Sequence, residues 1–312
     1  MHIVVMMHDR LPVRGYGGTQ RVVVWLVRGL AELGHRVTLI AGRGSRVPEA
    51  TLVPVDVRAA REAGFDVGPY VPRDTDIVHA FRQFAVAPPV PFVWTLEGNV
   101  RPGRTLPANT IFVSDDHARR NGRRAFVYNG IDPREFTFRR EKDDYDLFLG
   151  RLHSIKGYRW AIDGARRTNR KLVVAGGWRP SLRRSLRYVG TVDGPVKARW
   201  LAGARCLWMP ALWDEPFGLT LTEALVSGTP VLGTRRGSLP EIVSPDVGAL
   251  GDSLDDLIAL RSTVERCDPG ACRARVERWF SHAAMAEEYV RMYRTYLASG
   301  QLPAGRTAER TP

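Results

Sequence analysis

Short unbroken apolar runs alternate along this chain with stretches whose apolar residues recur every three or four positions. His2–Met7 is the first run, closed by the polar His8-Asp9-Arg10. A run of that length without alternation predicts a parallel strand buried on both faces. The glycine-rich loop Gly15-Tyr-Gly-Gly-Thr19 follows, and Val22–Leu33 then shows helical spacing up to Gly34. Val37–Ala41 is the next apolar run, so the N-terminal stretch predicts one right-handed βαβ unit. Further strands are predicted at Asp76–Ala80, Pro91–Thr95 and Thr110–Val113. The alternation restarts near residue 145, with strands at Asp146–Gly150, Lys171–Ala175, Arg205–Pro210 and Pro230–Gly233 and helices at Trp160–Arg166 and Leu219–Ser227. A last helix is predicted at Ala283–Leu297. Two such alternations predict an α/β chain of two doubly wound, Rossmann-like domains facing a cleft, 1–140 and 141–282. The polar segment Ile131–Tyr145 reads as a linker, and 298–312, rich in Gly, Pro and Thr, as a frayed tail.

Composition narrows the partners. The chain has 312 residues and a formal net charge of +13, carried mostly by Arg. A basic surface attracts nucleic acid, an anionic membrane or a phosphorylated substrate, and a codon bias toward Arg gives the same sum. The arginines are scattered in short groups such as Arg119-Arg120 and Arg139-Arg140, with no long basic run and no interleaved aromatic ladder. No nucleic-acid partner is therefore expected. Cys206, Cys267 and Cys272 lack metal-ligand spacing and read as free thiols in a reducing compartment. With no signal peptide and no stretch of ~18–20 apolar residues, a cytoplasmic protein is expected. Peripheral contact with an anionic membrane at its inner face stays open.

In doubly wound folds, ligands bind beyond the carboxyl ends of the strands. The richest loop there begins at Trp213-Asp-Glu-Pro-Phe-Gly218 and runs into Leu219-Thr-Leu-Thr-Glu223. Pro216 and Gly218 mark a turn that opens a helix; Glu215 precedes it and Glu223 lies inside it. A helix mouth presents unpaired N–H groups and partial positive charge, which favours phosphate. Gly218 lets the backbone at Phe217, Gly218 and Leu219 approach an anion closely. A diphosphate held there lies between the two carboxylates, each of which offers two acceptor oxygens to neighbouring hydroxyls.

These residues resemble the Glu-x7-Glu signature of family 4 retaining glycosyltransferases, whose fold is GT-B. The likeness extends over nearly the whole chain: Tyr16-Gly-Gly-Thr-Gln-Arg, Val127-Tyr-Asn-Gly-Ile-Asp132, Phe148-Leu-Gly-Arg-Leu152 with Lys156-Gly157, Gly233–Glu241, and Phe280-Ser281 through Tyr289. The resemblance implies that the last helix, 283–297, packs back on the first domain, which takes the acceptor, while the second domain binds the donor. It implies that Arg151 and Lys156 hold the donor diphosphate, that Glu215 touches the transferred sugar and Glu223 the ribose, and that Val192 lies against the base. Gly17 and Gly18 would meet the diphosphate from the first domain; otherwise they form a plain loop with Thr19 as the helix cap.

Cations aimed at a departing phosphate act as a fixed oxyanion hole. Two of them replace a divalent metal, so no metal site and no cofactor are expected beyond the donor itself. The Asp-x-Asp triplets Asp74-Thr-Asp76 and Asp144-Tyr-Asp146 lead into strands, away from the ligand ends. The family's Thr-x-His pattern is replaced here by Thr95-Leu-Glu97. Glu97 is counted with Glu215, Arg151 and Lys156 as catalytic: it would stabilise an oxocarbenium-like carbon or bind a hydroxyl of the acceptor or sugar. His79 and His8 are further candidates, as are Asp115 and Asp116, which otherwise cap a helix.

The function expected is metal-independent, same-face transfer of a hexosyl group from a UDP- or GDP-sugar to an acceptor that the sequence does not specify: a glycan, a lipid or a small molecule. The alternatives are a nucleotide-sugar epimerase or hydrolase, and a non-catalytic GT-B protein that binds a nucleotide-sugar or glycan.

Overall fold

The computed structural model describes every residue except Arg14, Tyr16, Ala63, Arg101, Pro102 and 309–312. Tyr16 of the expected glycine loop and the end of the expected tail thus lie outside the described residues. The chain divides into two units: Met1–Ile131 with Ser281–Arg306, and Asp132–Phe280 with Thr307 and Ala308.

The first unit opens with β1 (His2–Met6), all five residues buried. After α1 (Gly18–Glu32) come β2 (Arg36–Gly42), β3 (Thr51–Val55) and the short α2 (Val57–Arg61). Then follow β4 (Ile77–Ala80), β5 (Phe92–Thr95), β6 (Thr110–Ile111) and α3 (Asp115–Arg120). The six strands pair in parallel in the order β3-β2-β1-β4-β5-β6. Val22, Val23, Leu26 and Leu30, at helical spacing, form the buried stripe of α1. Gly17 is the N-cap of α1, so Thr19 lies within the helix and does not cap it.

The second unit repeats the plan. Its elements are β7 (Asp146–Leu149), α4 (Tyr158–Arg167), β8 (Leu172–Ala175), β9 (Leu186–Tyr188), α5 (Gly194–Gly203) and β10 (Leu207–Met209), then α6 (Leu219–Val226) and β11 (Val231–Thr234). α7 (Leu239–Ile242), β12 (Gly248–Gly251), α8 (Leu254–Val264) and α9 (Pro269–Trp279) complete it. The strand order is β12-β11-β10-β7-β8-β9, again all parallel. Phe148, Tyr158, Leu172, Val174, Trp208 and Leu232 are among its core. A buried ion pair sits inside: Asp146 Oδ2 accepts from Arg261 Nε at 2.7 Å and from Trp208 Nε1 at 2.8 Å. A buried carboxylate is tolerated only with such partners.

The strand order locates the crevice of the second unit. The chain steps outward from β7 to β9 on one side and from β10 to β12 on the other, so the order reverses between β7 and β10. Loops leaving the carboxyl ends of those two strands flank the place where such sheets hold ligands.

Two expectations need correction. Ile131–Tyr145 is not a free linker. From Asp132 on it belongs to the second unit, where Lys142 Nζ donates to Ala202 O at 2.9 Å and Arg140 pairs with Asp268 at 3.0 Å. The division therefore falls after Ile131, not at residue 140. Nor is the tail frayed from residue 298. Helix α10 (His282–Ser299) belongs to the first unit and ends at Gly300, in the left-handed conformation at φ 70°. Beyond it, Arg291 Nη2 donates to Ala304 O at 2.6 Å and Gly305 N to Arg124 O at 2.9 Å. α10 lies close on α1 because Gly29 has no side chain: a Cβ there would stand 2.6 Å from His282 O. Among the described residues, no helix is long and apolar enough to cross a membrane.

Candidate functional site

The β7 exit carries the first half of the site. Gly150 and the exposed Arg151 follow the strand, and Ser154–Lys156 form a single 3-10 turn. The turn ends at Gly157, in the left-handed region at φ 69°, where a Cβ would lie 1.8 Å from Pro210 O. Only glycine permits both that conformation and that approach to the end of β10. Leu212 N donates to Ile155 O at 2.8 Å and fastens the two exit loops together.

The β10 exit brings Glu215 to Lys156. Glu215 Oε2 takes Lys156 Nζ at 2.6 Å and Trp213 Nε1 at 2.8 Å. Lys156 Nζ also stands 4.7 Å from the centroid of the Trp213 ring, a cation–π distance. Glu215 Oε1 receives no hydrogen bond from the described residues. Gly218, at φ 87°, starts α6 with no side-chain cap; Leu221 N donates back to Gly218 O at 2.9 Å, and the amides of Leu219 and Thr220 are left to an external acceptor. Phe217 is buried, whereas Gly218 and Leu219 are partly exposed.

The loop after β11, noted in the sequence only by its likeness, holds this turn in place. Ser238 N donates to Glu215 O at 3.0 Å and Ser238 Oγ to Phe217 O at 2.6 Å. At Gly237 a Cβ would stand 2.4 Å from both Glu215 N and Glu215 O.

Glu223 is also held by a lysine. Its Oε1 takes Lys197 Nζ at 2.6 Å, with the two side chains 8% and 14% exposed, while Oε2 receives no hydrogen bond from the described residues. Lys197 lies on α5 and was not foreseen. Its partner is 26 residues away in sequence, and the helix between carries no motif that would have flagged it. Each glutamate thus has one oxygen fixed by a lysine and the other open. Val192 lies partly exposed just before α5, on the loop whose Gly190 O accepts from Gly176 N at 2.7 Å.

The aspartates of the Asp-x-Asp triplets are engaged elsewhere. Asp76 Oδ2 accepts from His2 N at 2.7 Å, Asp74 pairs with Arg36 and His2, Asp144 with Lys171 and Arg205, and Asp146 with Arg261. Among the described residues no group of three His, Cys, Asp or Glu side chains has metal-ligand geometry.

In the first unit, Gly17 and Gly18 are partly exposed at the start of α1. His79 is buried, its Nδ1 2.6 Å from Tyr293 Oη and its Nε2 2.8 Å from Thr95 Oγ1, which lies 2.8 Å from Tyr289 Oη. Burial pushes its imidazole down to about 3, so the ring stays neutral and serves the core. His8 is partly exposed beside Asp9, and burial lowers its imidazole too. Asp115 and Asp116 occupy the first turn of α3 and pair with Arg119 and Arg120; the cap is Ser114. Glu97, just past β5, is partly exposed as a residue, yet its Oε1 is buried, and its Oε2 accepts from Asn129 Nδ2 at 2.8 Å. Burial pushes this carboxyl up to about 7, with the Asn129 hydrogen bond pulling the other way.

Two parallel six-stranded sheets of this order are the architecture of the GT-B glycosyltransferases. Residues 145–266 match the family model described as glycosyl transferases group 1. An uncharacterized glycosyltransferase of Methanocaldococcus jannaschii is 31% identical over 154 residues, 40% of this chain and 39% of that protein. The phosphatidyl-myo-inositol mannosyltransferase of Mycobacterium leprae is 32% identical over 125 residues, 37% of this chain and 33% of that protein. The chain thus matches well under half the length of these curated relatives. Among solved structures, AviGT4, a glycosyltransferase involved in avilamycin A biosynthesis, is similar with a TM-score of 0.78 and 28% identity, over 96% of this chain and 98% of that one. These similarities give the chain a segment of the glycosyl transferases group 1 type within a fold shared with solved glycosyltransferases.

Proposed function

We propose that this chain is a retaining, metal-independent glycosyltransferase that moves a hexosyl group from a UDP- or GDP-sugar to an acceptor hydroxyl. The observation that carries the reading is the pair of lysine-held glutamates around the α6 mouth, Lys156–Glu215 and Lys197–Glu223, each with one oxygen open. The diphosphate lies at the amides that open α6, with Lys156 beside it and Arg151 on the same exit loop. Glu215 Oε1 accepts from a hydroxyl of the sugar, and Glu223 Oε2 from the ribose. Val192 lies against the base.

The reaction follows from that placement. The bond from the sugar's anomeric carbon to the diphosphate breaks, and charge grows on the leaving oxygen. Lys156, Arg151 and the helix mouth stabilise it there, and losing one such donor typically costs ~3–4 kcal/mol of barrier. The acceptor hydroxyl attacks on the face that the diphosphate leaves, and the leaving phosphate takes its proton. The protein's part is positioning and electrostatic stabilisation.

A panel of nucleotide-sugars read by thermal shift tests the donor. A ligand at ~100-fold its Kd adds ~2.7 kcal/mol of stability, and no response to any UDP- or GDP-sugar contradicts the reading. With a donor in hand, turnover should survive EDTA; loss restored by Mn²⁺ refutes metal independence. Glu97 in place of the family's histidine favours one second reading, a protein that binds the donor without transferring it. Binding with no product on any acceptor would establish that reading instead.

A further inference from the structure

In the first unit, Glu97 and Asn129 each carry a buried acceptor that no described residue satisfies. Glu97 Oε1 and Asn129 Oδ1 are both shielded from solvent and receive no hydrogen bond from the described residues. They belong to side chains already joined, since Asn129 Nδ2 donates to Glu97 Oε2 at 2.8 Å. An orphaned buried acceptor costs about 1–3 kcal/mol, so such atoms are rare and point to a missing partner. Two on one joined pair point to a partner with two donors.

The surroundings are built for a ligand. Glu97 stands just beyond β5, at the carboxyl end of the sheet, where doubly wound domains hold their ligands. Space lies next to it, because a Cβ added at Gly98 meets nothing within 4 Å. The wall behind is rigid. Asn129 is 1% exposed and is followed by Gly130, whose N–H reaches Met285 Sδ at 3.0 Å and where a Cβ would stand 2.3 Å from Ser281 O. Thr95, two residues before Glu97, is fixed by His79 and Tyr289.

The chemistry selects hydroxyls. A cation would suit Glu97 only when ionised. Its carboxyl is raised to about 7 by burial, so near neutrality both forms are populated. A hydroxyl serves either form, donating to the carboxylate or accepting from the acid. We propose that Glu97 and Asn129 form a clamp for two neighbouring hydroxyls of a cyclic polyol, a sugar or a cyclitol, and that this clamp is the acceptor subsite. The word acceptor rests on the glycosyltransferase reading; the binding of a diol does not.

Saturation-transfer NMR on the full chain tests the clamp with methyl α-mannoside, methyl α-glucoside and myo-inositol, each against cyclohexanol. At least one polyol should bind the wild type, cyclohexanol should not, and Glu97→Ala and Asn129→Ala should each weaken that polyol at least tenfold. Glu97→Gln, which keeps an acceptor, should fall between. UDP and GDP titrations of the same proteins report the second unit, and far-UV circular dichroism like the wild type's with a single cooperative melt shows that each variant, first unit included, is folded. Absence of polyol binding, equal binding by cyclohexanol, or equal affinity in the variants overturns the clamp and leaves the orphaned oxygens to a trapped water. Loss of nucleotide binding in the wild type, with the polyol result intact, overturns the donor reading alone.

Discussion

Replacing Glu97 by Gln should stabilise the protein at pH 8 and leave it nearly unchanged at pH 4. The Glu97 carboxyl is raised by burial from its ordinary 4.5 to about 7. Among the described residues no charged group offsets this and the Asn129 amide supplies the opposing hydrogen bond, while Tyr289 stays neutral because burial, with Glu97 nearby, raises its phenol. At about 1.4 kcal/mol per tenfold change in protonation, that rise corresponds to roughly 3 kcal/mol, or about 2 once the partial exposure of the residue is discounted. The sign follows from which state holds the proton. Below 4.5 folded and unfolded chains both carry the acid, and nothing is lost. As pH climbs from 4.5 to 7, the unfolded chain releases a proton that the folded one keeps, so wild-type stability falls. Above 7 the full deficit remains. Gln does not ionise, so the variant escapes the loss. Thermal melts of both proteins between pH 4.5 and 8 should diverge progressively, reaching several degrees at about 2–4 °C per kcal/mol. A difference that stays flat with pH, or a variant that melts lower at pH 8, would refute the buried-carboxyl argument.

Two other perturbations test separate parts of the molecule. Arg261→Ala leaves the Asp146 carboxylate buried without its guanidinium partner; stability should fall by about 3–5 kcal/mol, measured by denaturant melts, with part recovered by adding Asp146→Asn. Lys197→Ala frees Glu223 and should weaken nucleoside diphosphate binding at least ~10-fold by calorimetry, while the melting temperature of the free protein moves by only a degree or two.

The legible part of the fold was the buried part. β1, β4, β7 and β10 lie inside their sheets, are covered on both faces, and therefore appear in the sequence as unbroken apolar runs. The strands that escaped notice are sheet edges. β3 is Thr-Leu-Val-Pro-Val with mostly part-exposed residues, β9 is Leu-Arg-Tyr, and β12 is Gly-Ala-Leu-Gly. With one flank unpaired and little burial, none needs a continuous apolar run, and Pro54 is tolerated at an edge. α5, α8 and α9 were missed for a related reason: their apolar faces are narrow and interrupted by Arg, Asp and Gly.

The site divides along the same line. Lys156 and Glu215 were legible because glycine and proline set their loops, and those residues leave a mark in the sequence. The Lys197–Glu223 pair and the Glu97–Asn129 pair leave none, since each joins residues far apart in sequence through an approach that only the folded sheet creates. The Gly and Pro of the tail read as disorder in the sequence, whereas Gly305 is small so that the chain can pass within reach of Phe126 O, 2.3 Å from where a Cβ would be.

For the proposed transfer, the lysine at the β7 exit must bear on the departing diphosphate. Turnover of the donor found in the nucleotide-sugar panel, compared between wild type and a folded Lys156→Ala protein, measures that directly. A fall of at least ~10²-fold, the rate equivalent of about 2.7 kcal/mol, is the predicted result. A variant that melts like the wild type and turns over at a near-normal rate would contradict it.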